Sequence, residues 1–248
     1  MEFNPVYQAI GHVESPYLDC FGVPRQPGLN ELPALLRLHP PYDAEDWVRG
    51  LEAFSHLWVL WWFDRAQHVG PPSATVRPPR LGGNQRLGVF ATRSPYRPNP
   101  IALSVVPVRE IQRESRRILA IEVLGLDCAD GTPLLDLKPY LPYCDAVSDA
   151  MGGFAPDPPV RLSLDWSEEA RAALPWVARA NGVSATEISS MIEGALANDP
   201  APAYHQPSER IYWLALRVAD IGFRRRAGHA LTIEALRPAP SLKSRPGH

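Results

Sequence analysis

At 248 residues the chain is long enough for one large core or two unequal ones, and a hydrophobic share of 45% is that of an ordinary globular protein. A net charge of −2 argues against nucleic-acid binding driven by bulk charge, while leaving room for a local basic site. The longest apolar run, Leu57 to Phe63, is too short to span a bilayer and the chain opens Met1-Glu2-Phe3-Asn4-Pro5, so a soluble, cytoplasmic protein without a membrane partner is the expectation.

The three cysteines, Cys20, Cys128 and Cys144, are odd in number and far apart, which fits free thiols and not a disulfide framework. The seven histidines are scattered without an HxH or HxxxH pair, so no metal is expected. Lys138 and Lys243 are the only lysines among 25 basic side chains. Arginine's planar fork suits phosphate, carboxylate and base recognition, although a GC-rich genome gives the same bias. The 28 prolines are about twice the usual share and favour extended segments with shaped loops over a helical bundle.

In chain order, Val6 to Val13 reads as a first strand. Val23 to Gly28 (VPRQPG) follows as a stiff loop that presents Arg25 and Gln26. Leu35 to Leu38 is a short strand, and Asp43 is placed to cap a short helix from Ala44 to Leu51. Ser55 to Asp64 is an unbroken apolar strand of the kind buried on both faces, and its aromatics read as core and not as a base-stacking platform. Pro71 to Pro79 is a proline-rich loop. Leu81-Gly82-Gly83-Asn84 is no phosphate-binding loop, since neither GxGxxG nor GxxxxGK[ST] is present.

Gly88 to Val106 (GVFATRSPYRPNPIALSVV) is the stretch around which the chain is organised. It is expected to begin as a strand near Phe90 and to end as one from Ile101. Between them Pro95, Pro98 and Pro100 fix their own φ and push Ser94, Arg97 and Asn99 out of the helical region. The loop is therefore extended and stiff, and it carries Arg93, Arg97 and Asn99. Pre-ordering of this kind lowers the entropic cost of binding, although a barrel corner with solvated arginines has the same local pattern.

Val105 to Ile111 and Ile118 to Leu126 form a hairpin across the charged turn Gln112 to Arg117. Leu134 to Leu137 is a strand that breaks into a third proline-framed loop, with Asp136 and Lys138 at its mouth. Met151 to Pro159 has the composition of a linker, placing a domain boundary near 155. Beyond it, Val160 to Leu164 reads as a strand. Asp165 and Glu168 are expected to form a capping box for a helix to Asn181, and Ser184 and Glu187 one for a helix to Ala197. Ile211 to Ala219 and Leu231 to Leu236 pair as a hairpin, with Arg224-Arg225-Arg226 as a solvated basic turn between them. The fold expected is mainly β: an N-terminal β-barrel of about seven strands (1–155), a small C-terminal α+β domain (156–238) and a flexible tail (239–248).

If the three stiff loops converge, they offer three positive arms and a carboxylate, a set suited to a ligand with carboxylate and ammonium groups or to a phosphate. Asp199 and Tyr204, on a loop constrained by Pro200 and Pro202, are acid–base capable, and the same spacing fits a helix end stopped by prolines.

Val23 to Gly28, Arg49 to Trp58, Arg77 to Asn84, Gly88 to Val106, Asp130 to Pro133 and Asp136 to Pro142 together resemble the TsaA/TrmO family, collinearly over about residues 5 to 150. Members of that family are S-adenosylmethionine-dependent tRNA methyltransferases. The resemblance implies a β-barrel that binds the cofactor without a Rossmann fold and a homodimer with the cofactor near the interface. It also implies methylation of N6 of the threonylcarbamoylated adenosine beside the anticodon of tRNA(Thr), position 37 of the anticodon loop. Carried over, the cofactor residues are Pro24, Arg25, Gln26, Asp64, Arg65, Arg93, Leu103, Asp136, Leu137, Lys138 and Pro139. Asp64 and Arg65 depart from relatives that have a His-led pair there. Arg97 and Asn99 are expected to orient the modified base, and Asp199 or Tyr204 to assist its deprotonation. A second departure is Ala201, where relatives have an arginine in D-P-R-P-x-Y, with His205 or an arginine of 224–226 as its substitute. This departure and the mildly acidic charge keep a non-catalytic cofactor- or RNA-binding member as the alternative.

Overall fold

A computed structural model describes residues 7–66, 73–201 and 209–239; Val6, Tyr204, His205 and the tail from 240 lie outside the described residues, and the strand expected over Val6 to Val13 is formed only from Gly11, residues 7–10 being irregular. Six strands close into a barrel: β1 (Gly11–Glu14), β2 (Pro33–Leu38), β3 (His56–Trp62), β6 (Ile101–Glu114), β7 (Arg117–Leu124) and β8 (Pro133–Pro139). Their order is β1-β2-β7-β6-β3-β8, and every neighbouring pair is antiparallel. Alternation drives the closure. On β3, Leu57, Val59 and Trp61 are buried and meet Val13, Leu36, Val106, Ile121 and Leu134 in one core. Trp58, Leu60 and Trp62 lie on the outer side and are half-buried, so the apolar run is core on one face only.

The barrel has six strands because the segment around Phe90 is not one of them. A two-residue ladder joins β4 (Thr75–Val76) to β5 (Leu87–Gly88), and the chain then enters a 3-10 turn, Val89–Ala91. Val89 turns into the protein while Phe90 is 80% exposed. Asp43 caps no helix either. Its carboxylate accepts from Arg117 Nε at 2.6 Å, and the segment it was expected to cap is two 3-10 turns, Glu45–Trp47 and Leu51–Ala53.

After the short helix α1 (Pro142–Asp145), the second unit has a four-stranded sheet in the order β10 (Ile211–Ala215), β11 (Asp220–Arg226), β12 (Ala230–Arg237) and β9 (Ser163–Trp166), with β9 parallel to β12. Helices α2 (Glu168–Asn181) and α3 (Ala185–Leu196) complete it. Ser184 and Glu187 form the expected capping box of α3, but α2 is capped by Ser167, because Asp165 is committed to β9. The arginine cluster is no turn: Arg224, Arg225 and Arg226 lie in β11, a strand inserted between the two strands expected to form a hairpin. Their charges are neutralised by Glu209, Glu234 and Asp199.

The two units share packing through residues 15–32. Tyr17, Leu32, Phe21 and Val23 belong to the core of the second unit, although they connect β1 to β2 of the barrel. Tyr17 bridges Leu216, and Leu18 N donates to Ala215 O at 3.1 Å. Among the described residues, no helix is long and apolar enough to cross a membrane, and no three His, Cys, Asp or Glu side chains gather as metal ligands.

Candidate active site

The barrel register places four connections at one end. β3 ends at Trp62, which pairs with Ile101, the first residue of β6. Continuing the Val108↔Val123 pairing sets the residues after β7 opposite the start of β6, so 125–132 arrive at the same end. β1 also finishes there, with Ser15 N donating to Asp130 Oδ1 at 3.0 Å and Ser15 Oγ to Cys128 O at 2.7 Å. Segments 15–32, 63–66, 92–100 and 125–132 therefore surround one barrel mouth.

The 92–100 segment braces itself. Thr92 Oγ1 donates to Val89 O at 2.8 Å and accepts from Ser94 N, and Arg97 Nη1 donates to Thr92 O at 3.1 Å. Arg97 is thus turned back on its own loop, and Asn99 O accepts from Ile101 N at 2.7 Å at the point where β6 begins. Arg93 leaves the loop instead. Its Nη1 donates to Gln26 Oε1 at 2.6 Å, joining two of the proline-framed arms. Pro24 is buried at the base of the other arm and Arg25 is exposed on it.

That second arm is held from outside. Gly28 N donates to Gly125 O at 2.9 Å, and Gly125 has φ +69 with its Cα so close to Asn30 O that a Cβ would lie 2.3 Å from that oxygen. Asn30 Nδ2 donates to the buried Tyr17 hydroxyl at 2.7 Å, and Asn198 Nδ2 from the second unit donates to Leu29 O at 2.9 Å. Burial pushes the Tyr17 phenol well up, so it stays protonated.

Asp64 and Arg65 lie beyond β3. Arg65 binds the Asp130 carbonyl, and Arg217 Nη2 reaches the Asp130 carboxylate at 2.5 Å. Inside the mouth, Trp61 Nε1 donates to Ser104 Oγ at 3.0 Å, and Ser104 Oγ donates to Asp127 Oδ1 at 2.5 Å. Burial pushes the Asp127 pKa up to about 6, against the opposing pull of the Ser104 hydroxyl, its own backbone N–H and the nearby Arg93 charge. Burial also pushes the Cys128 thiol up, which makes it a poor nucleophile.

The third arm does not join the other two within one chain. Asp136 pairs with Leu60, which pairs with Leu103 on its other side, and Lys138 pairs with Trp58, four residues along β3 from the mouth, or about 13 Å. Leu103 is 50% exposed on the outer face. Lys138 Nζ binds Asp136 Oδ2 at 3.1 Å, Leu137 packs against the barrel core, and Pro139 pairs with Leu57 farther down. Asp199 lies in a different cleft, of about 240 Å³, lined by Arg225, Arg226 and His229. Its Oδ2 meets Arg225 Nη2 at 2.7 Å, and Ala201 is buried beside it.

The N-terminal family model described as tRNA-methyltransferase O N-terminal domain matches residues 12–146, and the TrmO C-terminal domain model matches residues 159–239. The chain belongs to the TrmO family. It is 41% identical over 228 residues to the tRNA (adenine(37)-N6)-methyltransferase of Escherichia coli K12, covering 88% of this chain and 94% of that one. It is 45% identical to a putative S-adenosylmethionine-dependent methyltransferase, RcsF, of Pseudomonas aeruginosa, covering 86% and 89%. A crystal structure of TrmO from Pseudomonas aeruginosa superposes with a TM-score of 0.76 at 32% identity, over 96% of this chain and 99% of that one.

Within this candidate site of a TrmO-family chain the sequence reading did not single out Trp61, Ser104, Asp127 or Arg217, and it took Asp130 only as part of the Asp130 to Pro133 segment. Ser104 carries the one available signal, a polar side chain at an inward position of an alternating strand. The donor set at the mouth suits a sulfonium amino acid: guanidinium and amide N–H groups for a carboxylate, and a half-buried Asp127 carboxylate for a cation.

Proposed function

We propose that this chain transfers a methyl group from S-adenosylmethionine to N6 of adenosine 37 in the anticodon loop of tRNA(Thr). In this reading the adenosine already carries an N6-threonylcarbamoyl group, and the enzyme works as a cytoplasmic homodimer. The observation that carries the reading is the Arg93–Gln26 hydrogen bond, which ties two proline-framed arms together over a barrel mouth that also holds a carboxylate. The activity named for the Escherichia coli relative, tRNA (adenine(37)-N6)-methyltransferase, supports the position and atom methylated.

The cofactor, when bound, supplies an electrophilic methyl on a sulfonium. The remaining task is geometric and protonic. Arg93 and Arg25 hold the carboxylate end, with Gln26 fixing Arg93, and Pro24 keeps that arm at its angle. Asp64 and Arg65 close the mouth through the Asp130 turn. The carbamoyl group withdraws electron density from N6 and acidifies its proton. Removal of that proton would leave N6 with a lone pair to accept the methyl group that the bound cofactor would supply. Arg97, through the loop it braces, and Asn99 orient the modified base, and Asp199 or Tyr204 takes the N6 proton or places the base once a second copy brings the Asp199 cleft to the mouth. Leu103, Asp136, Leu137, Lys138 and Pro139 reach the cofactor in the dimer, where the half-exposed outer row of Trp58, Leu60 and Leu103 meets a second copy.

Tritiated methyl transfer to tRNA(Thr), with and without the threonylcarbamoyl group, tests this. Label should enter only the modified tRNA. Equal label in both would overturn the substrate assignment, label transferred without tRNA would indicate a small-molecule acceptor, and cofactor binding without transfer would indicate a non-catalytic member.

A further inference from the structure

The reading above gives Asp127 no step of its own, yet its setting is specific. It lies just beyond the end of β7, within hydrogen-bond reach of Ser104, an inward-facing residue of β6. Ser104 is buried, and its hydroxyl accepts from Trp61 Nε1, which directs the hydroxyl proton to Asp127 Oδ1. One carboxylate oxygen is therefore fixed from the barrel interior, with its geometry set by two strands. The nearby cation is Arg93, whose charge favours the ionised form of Asp127 while its Nη1 is bound to Gln26.

Asp130 at this end is already matched. Asp64 and Asp130 act on the Cys128 thiol beside Asp127, and Arg65 and Arg217 bind the carbonyl and carboxylate of Asp130. An amino-acid sulfonium carries one carboxylate against two cationic centres, so arms made only of arginine would repel it. An anion beside Arg93 removes that repulsion and draws the guanidinium toward the mouth.

We infer that Asp127 is a positioning residue for the methyl donor: held by Ser104, its negative charge keeps Arg93 in line with Gln26 and offsets the cationic end of the cofactor. This inference rests on the cofactor reading given above. Burial dominates the Asp127 environment and raises its pKa to about 6. The folded chain thus takes up this proton more readily than the unfolded chain. The stability that Asp127 contributes is present below the ordinary carboxylate range and is lost as pH rises through about 6. At neutral pH the ionised group opposes folding, as expected where a charge is retained for binding.

The test is calorimetric titration of the full chain with S-adenosylmethionine and, separately, S-adenosylhomocysteine between about pH 5 and pH 7, where neither ligand's own carboxyl titrates. Wild-type affinity should fall with decreasing pH below a break near 6, by up to about tenfold per pH unit. Asp127→Asn should flatten that profile, weaken S-adenosylmethionine on the order of tenfold at neutral pH, weaken S-adenosylhomocysteine less, and raise the melting temperature. Ser104→Ala removes the hydroxyl that favours the ionised carboxylate, so its break should move to higher pH. An Asn variant that binds with the wild-type profile overturns the inference. So does one that melts lower and loses affinity equally for both ligands at every pH, or a Ser104→Ala break that stays in place. A wild-type chain that binds neither ligand overturns the functional reading itself.

Discussion

The two proline-framed arms at the barrel mouth are both ordered, for different reasons. The 92–100 arm is stiffened from within: three prolines restrict its backbone, and its hydrogen bonds run from Thr92, Ser94 and Arg97 to its own carbonyls and amides. The 22–30 arm has two prolines, and its bonds go outward, to Gly125 on the barrel and to Tyr17 and Asn198 on the side of the second unit. The first arm depends on its own covalent structure and the second on tertiary contacts, so their sensitivity to mutation should differ. Arg93–Gln26 joins them, so damage to either arm should reach the site.

The largest effect is expected where the outward-held arm is pinched against the barrel. Gly125 adopts φ +69, which an L side chain reaches only with strain, and its added Cβ would collide with the Asn30 backbone oxygen. Gly125→Ala should cost about 3 kcal/mol of stability and displace Gln26 from Arg93. Gly88→Ala, at the entry to the self-braced arm, has φ −57 and open space around its Cβ, so its cost should stay within about 0.5 kcal/mol. Paired thermal denaturations check both, and equal losses would abolish the distinction between the arms.

A smaller effect should follow from Tyr17→Phe. It removes the acceptor of the Asn30 side-chain N–H while leaving the packing of the aromatic ring in the second unit's core. A buried donor without a partner costs about 1–2 kcal/mol. Because Asn30 also orders its arm by accepting from Leu32 N at 3.1 Å, KM for S-adenosylmethionine should rise together with the loss of stability. A stability loss with unchanged KM would show that this arm does not report to the site.

The same contrast explains what the sequence made legible. The prolines announced both arms, the alternation of Leu57, Val59 and Trp61 announced a barrel wall, and Ser184 with Glu187 announced α3. Each of these rests on local chemistry within a few residues. Phe90 misled because a β-prone residue can ride on an exposed single turn when Val89 alone is needed inside. Asp43 and Asp165 satisfied local capping rules, and each was claimed by a distant partner, Arg117 in one case and the β9–β12 ladder in the other. The arginine triplet read as a turn because its neutralising acids, Glu234 and Asp199, come from separate segments. Asp127 was hidden for the same reason: its meaning depends on Ser104 and Arg93, which are brought to it by barrel closure.

Thr92→Val should have a smaller effect than Tyr17→Phe. It removes a hydroxyl that donates to Val89 O and accepts from Ser94 N, two bonds that in the outward-held arm would be decisive. Here Pro95, Pro98 and Pro100 already restrict the chain in both folded and unfolded states, so little additional conformational freedom is released when the hydroxyl is lost. The isosteric valine keeps the β-branched preference for the extended backbone that Thr92 adopts at φ −137, ψ 167. The cost should be about 0.5–1 kcal/mol, the ordinary net worth of a hydrogen bond, with KM for S-adenosylmethionine changed less than about twofold. A tenfold rise in KM would mean that the prolines alone do not hold Arg93 in place, and the first arm would then depend on its contacts as the second does.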